Sequence, residues 1–149
     1  MSIVRPTLTY GCEVWPTTVQ IEQKLRSFEN RVLRIICGPF FDTEINRWRR
    51  RKNQELREIT KVPPVTSYIK GQRIQWFGHA MRREETNEVR AAIEYKPTGR
   101  RPRGRPKKRW MDGVQQDLER LEVTEWEERI QDRDYWRAVT VAAKTLTEL

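Results

Sequence analysis

The stretch from Lys96 to Arg109 sets the tightest limit on what this chain can fold into. It holds eight bases (Lys96, Arg100, Arg101, Arg103, Arg105, Lys107, Lys108 and Arg109) and no acid. The whole protein of 149 residues carries a net charge of +9, so nearly all its excess charge sits in this one segment. Pro97, Pro102 and Pro106 withhold backbone donors and fix φ, which bars the run from a helix interior or a central strand. Gly99 and Gly104 remove side-chain bulk between them. A run that cannot enter regular structure and repels itself needs an anionic partner to become ordered. Nucleic acid is the partner this chemistry favours.

Within the run, Pro102-Arg103-Gly104-Arg105-Pro106 resembles the AT-hook of chromatin proteins. Two prolines hold an extended backbone, the glycine lets it press onto a narrow groove floor, and two arginines run along the groove. A-tract minor grooves are narrow and carry an enhanced negative potential that favours inserted arginine. Three readings stay open at this stage: groove insertion into A·T-rich duplex, general phosphate contact to RNA or DNA, and a solvated linker. The expected contact residues are Arg100, Arg101, Arg103, Gly104, Arg105, Lys107, Lys108 and Arg109. Pro106-Lys107-Lys108-Arg109 also reads as a nuclear-import signal.

Composition narrows the rest. A hydrophobic share of 36% against 34% charged residues predicts a modest core, to which the six tryptophans contribute large buried areas. A pI near 10 points to nucleic acid or an anionic surface. No apolar run reaches the length of a membrane span, and Met1-Ser2-Ile3-Val4-Arg5-Pro6 lacks a signal-peptide core. Two cysteines without a pairing pattern suit a reducing compartment, so an intracellular chain is expected.

Residues 7–15 read as a short mixed segment, closed by Pro16. Then Ile21, Leu25, Phe28, Val32 and Ile35 step by four, three, four and three, with Leu33 and Ile36 widening the stripe. Thr17 or Thr18 can cap this helix and Gly38-Pro39 ends it; it is expected to be the spine of the fold. Residues 39–52 are less regular and carry a second basic cluster around Trp48, in which Arg49, Arg50 and Arg51 are candidate phosphate contacts. A solvated face is the alternative for that cluster. A short helix around 54–60 is stopped by Pro63-Pro64, and a longer one from Thr66 carries Trp76 and Phe77. Gly71 and Gly78 weaken that helix by about 1 kcal/mol each relative to alanine unless close packing needs them.

A short segment over residues 87–95 precedes the basic loop. After the loop, Trp110, Val114, Leu118 and Leu121 repeat at helical spacing, Thr124-Glu125-Trp126-Glu127 reads as a capping box, and Asp132 or Asp134 opens a last helix. Residues 116–149 hold nine acids against five bases, enough to screen the basic loop from within. Trp76, Trp110, Trp126 and Trp136 fall in apolar register and read as core, which leaves Trp48 open.

Signatures of chemistry are missing from this sequence. Cys12, Cys37 and His79 are the soft metal ligands, too few and too far apart in sequence for a structural zinc site. The lone histidine offers little basis for nucleophile activation, and it reads as a helix residue bonding locally. Neither a Gly-x-x-x-x-Gly-Lys-Ser/Thr loop nor a Tyr-x-Asp-Asp motif is present. No cofactor and no metal are expected.

The order of motifs carries a family resemblance. Leu8-Thr9-Tyr10-Gly11-Cys12-Glu13-Val14-Trp15 comes first, then Arg31-Val32-Leu33-Arg34-Ile35-Ile36-Cys37-Gly38, then Arg73-Ile74-Gln75-Trp76-Phe77-Gly78-His79-Ala80-Met81-Arg82. The basic loop follows, and the series closes with Arg109-Trp110-Met111-Asp112 and Gln131-Asp132-Arg133-Asp134-Tyr135-Trp136-Arg137. This series resembles the region C-terminal to the polymerase core in endonuclease–reverse transcriptase polyproteins of animal non-LTR retrotransposons. The resemblance implies a chain that begins at the thumb edge of the reverse transcriptase, with the palm, its metal-binding aspartates and the endonuclease upstream. No catalytic residue is carried over; the basic loop and the Trp-x-Gly-His segment transfer as nucleic-acid-facing elements.

The expectation is therefore an all-α fold of about five to six helices with an extended basic loop. Residues 1–95 would form a helical domain, 96–109 the loop, and 110–149 helices packing on the first part. The chain would be no enzyme on its own. It would bind RNA or DNA, with upstream reverse-transcriptase domains as further partners, no membrane, and a nuclear or nucleocytoplasmic location. Alternatives are a part of an active RNA-directed DNA polymerase that needs a palm domain, a protein-interaction module, or a relic without function.

Overall fold

The computed structural model describes residues 3–96, 98–99, 103–104 and 108–145. Helix α1 (Val4–Leu8) leads through a 3-10 turn (Cys12–Val14) into α2 (Val19–Cys37). A hairpin of β1 (Phe40–Asp42) and β2 (Arg47–Arg49) precedes α3 (Asn53–Thr60) and α4 (Val65–Met81). Then come α5 (Glu88–Glu94), α6 (Trp110–Arg120), α7 (Trp126–Arg129) and α8 (Arg133–Thr145). The fold is mostly helical, as the periodicity predicts, and the two-stranded hairpin is its one sheet among the described residues. Eight helices rather than five or six appear there, three of them short: α1, α5 and α7 span five, seven and four residues.

The spine is α4, not α2. On α4, eleven residues are buried, from Val65 to Ala80, including Gly71 and Gly78. On α2 only Glu29 and Leu33 are buried, while Ile21, Phe28, Ile35 and Ile36 keep 41%, 47%, 75% and 60% of their surface in solvent. A clean stripe marks a helix covered on one side, whereas a helix covered all round shows none. Helix α4 is touched by α8, α6, α2, α5 and the 3-10 turn. Its small residues let those neighbours come close: a Cβ on Gly78 would sit 1.9 Å from Trp136 Nε1, and one on Gly71 2.2 Å from Lys144 Cγ. Close packing is thus what both glycines serve.

Two apolar clusters flank α4. The larger joins Ile74 and Phe77 to Val114 and Leu118 of α6, Ile130, and Trp136, Val139 and Ala143 of α8. Trp110 and Trp126 pack around it, and Trp136 anchors its indole by donating from Nε1 to the Ile74 carbonyl at 2.9 Å. The smaller cluster gathers Cys12, Val65 and Ile69 beneath Leu8, Trp15 and Leu25. Burial, with Glu13 adding to it, pushes the Cys12 thiol up to about 11, which leaves it protonated and unreactive at neutral pH.

Buried charge ties the helices together. The Glu29 carboxylate accepts from Arg5 of α1, from Arg57 of α3 at 2.6 Å, and from the backbone N–H of Val65 at 3.0 Å. It thereby satisfies an orphan donor in the first turn of α4. Arg73, 1% exposed, donates from Nε and Nη2 to Asp117 Oδ2 of α6 and from Nη1 to Thr17 Oγ1 at 3.2 Å.

Local caps follow the sequence in part. Thr18 accepts from the Ile21 N–H and Gly38, at φ +67°, ends α2. Asp132 opens α8 by accepting from the Asp134 and Tyr135 N–H groups. The capping box predicted at Thr124 is absent: Glu125 stands at the N-cap of α7 at φ +52° with no side-chain cap.

Candidate nucleic-acid interface

The two ends of the basic loop meet at one cavity. Lys96 and Arg109 both line it, with Trp76, Trp110 and Trp126 as its aromatic wall. Trp110 is fixed there by donating from Nε1 to the Glu13 carbonyl at 2.8 Å, and Asp112 Oδ2 accepts from the Arg109 N–H at 2.8 Å to start α6. Arg103, Gly104, Lys108 and Arg109 are all exposed. The side chains of Arg103, Lys108 and Arg109 make no ion pair among the described residues. Gly104 stands at φ +111°, a conformation open to glycine and strained for arginine or lysine. Arg100, Arg101, Arg105 and Lys107 lie outside the described residues.

The second basic cluster divides in three dimensions. Phe40, Phe41 and Asp42 pair with Arg49, Trp48 and Arg47, so Asp42, Arg47 and Arg49 share one face of the hairpin and Phe41 and Trp48 the other. Arg49 donates to Asp42 Oδ2 at 2.6 Å and forks onto both Glu55 oxygens of α3, at 2.6 and 3.1 Å. The Arg49 guanidinium holds the Glu55 carboxyl down at about 2, helped by the Lys52 N–H. Arg51 donates from Nε to the Gly38 carbonyl at 3.2 Å and lies 5.3 Å from the Phe40 ring centre. These two arginines are committed to holding the hairpin on α2 and α3. Arg50 is exposed and its guanidinium pairs with nothing among the described residues, as does that of Arg47.

Trp48 is 67% exposed and meets Phe41 edge to face at 5.4 Å. An exposed aromatic pair close in the chain to the uncommitted Arg50 suits stacking of an unpaired base. The Trp-x-Gly-His segment is split by its helix: Gly78 faces inward on Trp136, His79 faces solvent, and Trp76 lies half-buried with its ring 5.7 Å from that of His79.

Arg83 donates to His79 Nε2 at 3.1 Å, a bond that needs an unprotonated Nε2. Among the described residues no group of three or more His, Cys, Asp and Glu side chains is placed to hold a metal ion. No described helix is long and apolar enough to cross a membrane.

Among known proteins, this chain is similar to a transposon-derived protein of Caenorhabditis elegans. The two are 26% identical over 148 residues, which cover 93% of this chain and 51% of the relative. The chain thus spans about half the length of the relative it matches. No family model and no solved structure matches it. The likeness to a transposon-derived protein fits a retrotransposon origin.

Proposed function

We propose that this chain is a nucleic-acid-binding segment derived from a retrotransposon reverse transcriptase, without catalysis of its own, that grips RNA or DNA backbone through the loop of residues 96–109. The observation that carries this reading is the concentration of eight bases in a segment whose described cations have no acid partner. An uncompensated cationic loop costs self-repulsion in the free protein and recovers it on a polyanion. Arg50, close to Trp48 in the chain, with Arg47 on the other face of the hairpin, extends the reading to a second track. The proposed location, nuclear or nucleocytoplasmic, follows from this partner and from Pro106-Lys107-Lys108-Arg109. The partly exposed stripe of α2 favours an additional contact with upstream reverse-transcriptase domains, since Ile21, Phe28, Ile35 and Ile36 keep 41–75% of their surface in water.

Changing Arg103, Arg105, Lys107 and Lys108 to alanine tests the loop. By fluorescence anisotropy on duplex DNA, log K against log salt should become shallower by about 3 to 4 in this variant, near 0.9 per lost phosphate contact. If the loop inserts into a narrow minor groove, the parent prefers A·T-rich over G·C-rich duplex and the variant loses that preference. A variant as tight and as salt-sensitive as the parent rejects the loop as the contact surface.

A further inference from the structure

A second basic surface is built from residues that are scattered in sequence. Helices α4 and α8 run antiparallel, with Gly71 against Lys144 and Gly78 against Trp136. Along one side of this pair runs a groove to which α4 brings His79, the turn after it Arg82 and Arg83, and α8 Arg133, Arg137 and Lys144. No aspartate or glutamate lines it among the described residues. The segment after the loop is acidic in total, yet α8 turns its bases to this groove.

These cations are not neutralised within the fold. Arg82 donates to the Ile130 carbonyl at 3.0 Å, Arg83 to His79, and Lys144 to Gln75 Oε1 at 3.0 Å, all uncharged acceptors. Arg137 has one carboxylate, Asp134, at 3.7 Å, with both side chains largely in water, where such a pair contributes little. Arg133 makes no ion pair among the described residues. Burial, and after it the nearby charge of Arg133, lowers the pKa of Arg82. From Arg133 to Lys144 the track is about 16 Å long, at 1.5 Å per helical residue.

The floor of the groove decides what it reads. Trp136 is 2% exposed and its indole N–H is spent on Ile74, so the indole offers a base no open face to stack on. Gln75 Oε1 is occupied by Lys144. What remains is an arginine-rich rail, and guanidinium forks match phosphate oxygens in a bidentate fit. We propose that the α4–α8 groove is a sequence-independent track for a phosphodiester backbone, a second contact of the nucleic acid whose first contact is the basic loop. The proposal rests on the nucleic-acid reading given above and adds a site to it.

The test uses the full chain with Arg133 and Arg137 both changed to alanine, two exposed positions outside the core. A control with Lys24 and Arg31 of α2 changed to alanine removes the same charge from another exposed face. Each protein is titrated by anisotropy against single-stranded RNA, single-stranded DNA and mixed-sequence duplex DNA over a series of salt concentrations. The groove variant should lose affinity and show a salt slope shallower by about 1.4 on single strands or about 1.8 on duplex, with the control unchanged. The probe with the larger loss identifies the strand type seated in the groove, and restoring the charge as Arg133→Lys with Arg137→Lys should recover most of the slope. An unchanged groove variant, or an equal loss in the control, overturns the groove while leaving the loop as the binding element. Absence of binding by the parent to all three probes overturns both.

Discussion

Replacing Asp117 with alanine is expected to lower the unfolding free energy by about 3–5 kcal/mol, as removal of one partner from a buried ion pair does. Both partners are out of water, Arg73 at 1% and Asp117 at 5% exposure, so the orphaned guanidinium has no solvent to turn to. Its remaining bond, to Thr17 Oγ1 at 3.2 Å, is to a neutral group. Arg73 also lies where a Cβ on Gly113 would meet it at 2.9 Å, so the close approach of α6 to α4 depends on where this side chain is held. Domains of this size have about 5–15 kcal/mol of stability in total, so the urea midpoint should fall by at least about a fifth, and by about half for a parent near 8 kcal/mol. The double change Arg73→Met with Asp117→Leu removes both charges and should recover most of the loss. A single variant within about 1 kcal/mol of the parent would show that the pair is not holding α4 to α6.

The two glycines of α4 separate on the same measurement. Gly78→Ala places a Cβ 1.9 Å from Trp136 Nε1, an atom that is buried and committed to the Ile74 carbonyl. The indole cannot move without breaking that bond and opening the larger core cluster, so overpacking should cost about 1–3 kcal/mol, and more for Gly78→Val. At Gly71 the obstruction is Lys144 Cγ at 2.2 Å, part of a long side chain that can swing into solvent. There the gain of about 1 kcal/mol in helix propensity offsets the displacement, and Gly71→Ala should be close to neutral. Thermal melts of the two variants should therefore differ by several degrees. Equal melting temperatures would contradict the helix contact described for α8.

The helices were legible where burial is one-sided. Thr18, Gly38 and Asp132 stand at the helix ends that their chemistry predicts, and the apolar spacing places α2, α4, α6 and α8. The rank of the helices was not legible. Ile21, Phe28 and Ile35 make the cleanest stripe in the chain, but none of them is buried, whereas α4 hides its importance in Thr66, Ser67, Gly71 and Gly78. Glu29 reads as one more polar residue on the outer face of α2, and only the meeting of Arg5, Arg57 and Val65 around it makes it a buried anchor.

The candidate site shows the same divide. Arg49, Arg50 and Arg51 are indistinguishable as letters, yet strand alternation sends Arg49 to Glu55 and leaves Arg50 in water. The antiparallel pairing of α4 with α8 brings Arg82 and Arg83 next to Arg133 and Arg137, fifty residues apart, and helical spacing on each helix alone gave no sign of it. Of the tryptophans read as core, Trp136 is buried and Trp110 and Trp126 pack on the core, while Trp76 lines the cavity at the foot of the loop.

The most direct test of nucleic-acid binding is the salt dependence of the unmodified chain. Anisotropy titrations against A·T-rich duplex, G·C-rich duplex and structured RNA should each give a linear fall of log K with log salt, at a slope near −4 to −5 for about four to six neutralised phosphates. A flat response, or no binding to any of the three at moderate salt, would contradict the account.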